Sequence, residues 1–190
     1  MSLRPTIRGV FWVACLLTTA SVFAQSPARE SFTATATVKA AGGAAATAPV
    51  QVTVDRKMSQ AEADTMLAAF KTGGAAGLRK ALEGVPPTGT VRLGNSAPTA
   101  TRLTIERPTE KGRLLTIVTD KPILFLGAGL PGAKPKTGYD FAIIDLEVDA
   151  NGAGTGTLAP AAKVAVKSGA FVVEDYAGEL VRLTSVARAK

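Results

Sequence analysis

Period-two alternation of apolar and polar residues restricts this chain more than any other feature. In Phe32-Thr33-Ala34-Thr35-Ala36-Thr37-Val38-Lys39 every second side chain is apolar, and the threonines take the opposite face. A helix cannot gather such residues on one side, whereas a half-buried strand does so directly. The pattern returns at Val50, Val52 and Val54, at Val91 and Leu93, and at Leu103 and Ile105, and a short hairpin loop from Pro108 to Gly112 leads into a further strand from Leu114 to Val118. Ile123-Leu124-Phe125-Leu126 reads as a strand buried on both faces. Tyr139 to Val148 reads as another, with a phase slip between Ile143 and Ile144 that suggests a β-bulge. Asn151-Gly152, Ser168-Gly169 and Ala177-Gly178 then separate four runs, the first two being two-residue hairpin signals, and predict an antiparallel meander.

The period changes once. Ser59-Gln60-Ala61-Glu62 has the form of a capping box, and Ala63, Met66, Leu67 and Phe70 follow on one helical face. Gly73-Gly74 ends that helix, and a shorter one runs through Leu78, Ala81 and Leu82 before Gly84 and Pro86-Pro87. The expected fold is α+β, mostly antiparallel β: about nine or ten strands in a meander-rich sandwich or barrel, with two short helices near residues 59–84.

The first two dozen residues stand apart. Arg4 and Arg8 precede an apolar run from Val10 to Leu17, and Val22-Phe23-Ala24 places small residues at the positions read by a signal peptidase. We expect a signal peptide over residues 1–24, cleaved after Ala24, and a periplasmic or secreted protein. The run is shorter than a membrane-spanning helix and is broken by Thr18 and Thr19. A single domain over residues 25–190 follows, with 25–30 as a flexible leader and no transmembrane segment after cleavage. Too few aromatics remain to form the girdles of an outer-membrane barrel.

Cleavage removes the only Cys and the only Trp, and the chain has no His at all. Arg4 and Arg8 leave with it but none of the 15 acidic residues does, so the net charge falls from +7 to near +5. Disulfide staples, Ser-His-Asp and Cys-His catalysis, thiol chemistry and ordinary zinc or haem ligation are thereby removed. None of the remaining serines begins an S-x-x-K. The cations are dispersed and the aromatics few, which argues against nucleic acid as a partner.

Carboxylate chemistry survives. Asp140, Asp145, Glu147, Glu174 and Asp175 lie on or near strands, and two such groups 5–10 Å apart can cleave a glycoside. Alternating polar faces and turns are the simpler account of these residues, so a glycosidase-like hydrolase is the alternative reading. Gly127-Ala128-Gly129-Leu130-Pro131-Gly132 matches a dinucleotide fingerprint in spacing. Pro131, Pro135 and Gly138 prevent the helix that fingerprint needs, and no cofactor is expected. Asp149-Ala150-Asn151-Gly152 has too few oxygen ligands after it for a calcium loop, and no metal site is expected.

The leading expectation is a non-enzymatic domain that binds a small ligand or an envelope partner. The candidate binding residues are Lys134, Lys136 and Tyr139, where two cations beside a ring in a long connection would favour an anionic ligand. The stretch from Met58 to Lys190, with AFKTGGAAGLRKALEG, TRLTIERPTEKGRLLTIVTD and SGAFVVEDYAGELVRL, is similar to uncharacterised exported bacterial proteins. The resemblance implies a bacterial export setting and carries no functional residues across.

Overall fold

The computed structural model describes residues 29–39, 45–123, 137–167, 170–176 and 180–189. The signal segment, the glycine-rich fingerprint and Lys134 and Lys136 lie outside them. Among the described residues there are nine strands: β1 (Glu30–Lys39), β2 (Ala45–Val54), β3 (Gly89–Leu93), β4 (Thr99–Thr109), β5 (Gly112–Thr119), β6 (Phe141–Val148), β7 (Gly154–Lys167), β8 (Ala170–Tyr176) and β9 (Val181–Arg188). They form one antiparallel sheet in the order β6-β5-β4-β3-β2-β1-β9-β7-β8, and β6 also pairs with β7. That last pairing closes eight strands into a barrel and leaves β8 outside it.

Alternation does on β1 and β2 what it predicts. Phe32, Ala36 and Val38 are buried, as are Val50, Val52 and Val54, and all join the core that fills the barrel with Leu115, Ile144 and Leu183. The outer face of β1 carries Thr33, Thr35 and Thr37, whereas that of β4 to β7 is largely apolar and lies under the helix and β8. No helix among the described residues is long and apolar enough to cross a membrane.

Helix α1 (Gln60–Glu83) leaves β2 and returns to β3. The Ser59 hydroxyl accepts from the Glu62 amide, and the Glu62 carboxylate accepts from the Ser59 amide at 2.8 Å, which is the expected capping box. Gly74, at φ 58° and ψ −149°, breaks the element, so the two expected helices are two limbs of one kinked helix. Such backbone angles are essentially restricted to glycine. Met66, Leu78 and Leu82 bury against the outside of the barrel, where Leu103, Val118, Phe141 and Ile143 form a second core.

Three local expectations are corrected. Ile123 is not in a strand: it is buried, with its amide bonded to the Pro160 carbonyl, and Leu124-Leu126 fall outside the described residues. The predicted slip between Ile143 and Ile144 is absent, since Phe141 and Ile143 face the second core and Ala142 and Ile144 the barrel; the irregularity lies in β7, where Ala159 to Ala162 spans one residue more than Ile143 to Phe141 opposite. The four-stranded meander fails at its third turn. Both β8 and β9 run antiparallel to β7, and the partners met along β7 continue from β8 directly into β9. β8 and β9 thus lie one after the other along the same side of β7, which has 14 residues where β6 has only eight. The excess of β7 has no place in the barrel and carries β8 away from it.

Candidate functional site

The overhanging end of β7 and the strand β8 form a flap against α1 and the outside of the barrel. Val164, Phe171 and Val173 turn into the second core, and the rings of Phe70 and Phe171 meet edge to face at 5.8 Å. Beside this contact lies a cleft of about 450 Å³. Its floor is the outer face of β4 to β7, with Leu103, Val118, Ile143 and Ala159 as apolar contributors, and Phe171 to Tyr176 form a wall. A smaller cleft of about 140 Å³ runs on beneath the first turns of α1, and the two share Arg107, Thr116 and Phe171.

A polar row crosses this floor. Thr116, Asp145 and Thr157 are direct partners across β5, β6 and β7, and the Thr116 hydroxyl donates to the Asp145 carboxylate at 2.6 Å. The alternation of β6 puts Ile144 and Leu146 into the barrel, and so turns Asp145 outward. Glu174 and Asp175 line the same cleft from β8. Glu174 pairs with Lys163 at 3.1 Å, and Asp175 accepts a hydrogen bond from the Tyr139 hydroxyl. That bond, with the charge of Asp175 behind it, raises the Tyr139 pKa. Of the sequence-nominated residues, Asp145, Glu174 and Asp175 are brought together. Glu147 is not among the residues lining the cleft, and Asp140 pairs with Arg79. Tyr139 is buried, so its ring is not presented to solvent.

Arg107 was not singled out by the sequence. It is exposed, borders both clefts, and no carboxylate lies within ion-pair distance of it among the described residues. Nothing in its local sequence marks it, since Glu106-Arg107-Pro108 reads as the end of a strand. Phe171 and Thr157 were likewise invisible as site residues, because it is the overhang of β7 that brings β8 over the floor.

A separate charge cluster closes one end of the barrel. Glu30, nearly buried, receives two hydrogen bonds from Arg113 at 3.1 and 2.5 Å and an ion pair from Lys57 at 3.0 Å. Lys57 and Arg113 also hold Glu106, and the Arg113 guanidinium stands 6.0 Å from the centroid of the Phe32 ring. The hydrogen bonds from Arg113, outweighing the opposing effect of burial, and the nearby Lys57 hold the Glu30 carboxyl down at about 2. Burial pushes Glu106 up, but Lys57 and Arg113 bring it below the usual carboxylate range. This cluster staples strand ends; its charges are spent on one another.

Among the described residues no three His, Cys, Asp or Glu side chains gather as a metal site. No family model, curated protein or solved structure matches the chain.

Proposed function

We propose that this protein is an exported, non-enzymatic binding domain that takes a partly apolar ligand in the cleft under β8. The observation that carries the reading is the cleft itself: about 450 Å³, in the range of ligand pockets, with an apolar sheet as floor and a few polar groups converging on it. Its carboxylates have partners suited to orienting a ligand. Asp145 accepts from Thr116, Glu174 faces Lys163, and Asp175 is held by Tyr139. The signal-like segment of residues 1–24 supports a setting in the cell envelope or outside the cell.

Nile red, a neutral dye that brightens in apolar surroundings, tests the reading. The wild-type protein is expected to bind it, and Thr157→Trp, which fills the floor, is expected to remove that binding. Thr35→Trp, on the outer face of β1 across the barrel, is expected to leave it intact. Equal binding by all three proteins, or none by the wild type, would overturn the assignment.

A further inference from the structure

We propose that the outer edge of β8, the one turned away from β7, takes up an extended peptide as an added antiparallel strand, with the peptide's C-terminal carboxylate held by Arg107. The proposal rests on the reading of the cleft as the ligand site and names the class of ligand. Its starting point is the topology. Among the described residues β8 pairs with β7 alone, so from Phe171 to Glu174 no described strand lies along the other side of its backbone. Unpaired amides and carbonyls along such an edge are a template for another strand.

The lining of the cleft says which way that edge faces. Side chains of a strand alternate between its two faces, so a strand that turned only a face to the cleft would contribute every second residue. Here Phe171, Val172, Val173, Glu174, Asp175 and Tyr176 all line it. Six consecutive residues border a cavity when the strand presents its edge. At about 3.3 Å per residue the six offer roughly 20 Å of backbone, enough to pair with a hexapeptide. The peptide's inward side chains would meet the apolar floor at Leu103, Val118 and Ile143. Strand addition of this kind draws affinity from the main chain and selectivity from alternate side-chain pockets.

Charge sets the direction. Arg107 lies at the Phe171 end, where the two clefts join, while Glu174 and Asp175 lie toward the other end of β8. A peptide antiparallel to β8 brings its C-terminus to Arg107. Arg107 has no carboxylate within ion-pair distance among the described residues, and a guanidinium can grip one through two parallel hydrogen bonds.

The test uses an alternating threonine–valine hexapeptide, labelled at its N-terminus and read by fluorescence anisotropy against the full chain. The free acid is expected to bind and to displace Nile red. A C-terminal amide, or the acid with Arg107→Ala, is expected to bind about ten- to a hundredfold more weakly, the scale of one charge-assisted contact. The amide is expected to bind that variant no more weakly still. Two peptides N-methylated on opposite alternate sets are expected to differ, one losing binding and one keeping it, since an added strand bonds through alternate amides. Equal binding of acid and amide, or equal binding of the two methylated peptides, would overturn the proposal. If Nile red binds and Thr157→Trp removes it while no peptide competes, the peptide proposal falls and the cleft reading stands. If Nile red does not bind either, both fall.

Discussion

At the scale of single residues, Glu30 is the side chain on which most interactions converge. It is almost inaccessible, yet Arg113, Lys57 and Arg188 surround it at 2.5–3.5 Å. Holding its carboxyl at about 2, against 4.5 when free, stabilises the fold fully above pH 4.5, and that stabilisation is lost as pH falls toward 2. The size is on the order of 3 kcal/mol. Glu30→Gln is therefore expected to be clearly less stable than wild type in urea at pH 7, with the gap closing between pH 4.5 and 2. A gap that does not change with pH would show that the cluster adds nothing through Glu30. Ser59 is a second such residue, and its loss should act on the helix alone. Ser59→Ala removes the acceptor for the Glu62 amide and is expected to cost about 0.5–2 kcal/mol by denaturant titration. Glu62 itself is held below the usual carboxylate range, first by the Ser59 amide, so this helix start should also weaken in acid.

Among elements, the flap differs from the rest of the sheet in what holds it. β1 to β7 and β9 are paired on both sides within the closed barrel, whereas β8 depends on β7 and on the seating of Phe171 and Val173. Removing the Phe171 ring takes away the edge-to-face contact with Phe70 and part of the second core. Phe171 is half-buried, so Phe171→Ala is expected to cost about 1–3 kcal/mol, below the range for fully buried rings. The cost should fall locally. Amide exchange is expected to quicken along β8 while the amides of β1 and β2 keep their protection. Uniform quickening across the barrel would mean that the flap and barrel unfold as one unit. The bulge in β9, where Ser185 takes a φ of 52° and the register slips against both β1 and β7, belongs to the barrel side of this division. It adds twist where the sheet must close.

For the whole molecule, what the sequence disclosed followed from period. Alternation located β1 and β2 closely because one face of each is buried in the barrel and the other is largely not, whereas β6 is buried on both faces from Phe141 to Ile144 and its apolar run read as a slip. The Ser59 cap and the glycines at 73–74 gave the helix and its break, since both are local signals. Closure was not legible, because it depends on β6 meeting β7 in space and no short-range pattern encodes it. The reading of Ala177-Gly178 as a reversal failed for the same reason: only the shared partner β7 shows that β8 and β9 run in the same direction. One clue to the site was present. Ser168-Gly169 stands a full 14-residue strand beyond the first hairpin, longer than the preceding strand can match, so part of β7 had to overhang. Arg107 gave no such clue. Ligand binding in the cleft made by that overhang is tested most directly by chemical-shift mapping of the isotope-labelled protein against Nile red. The predicted shifts fall on Thr116, Val118, Ile143, Asp145 and Thr157 of the floor and on Phe171 to Tyr176. Shifts gathered instead on Thr33, Thr35 and Thr184, on the far side of the barrel, would contradict it.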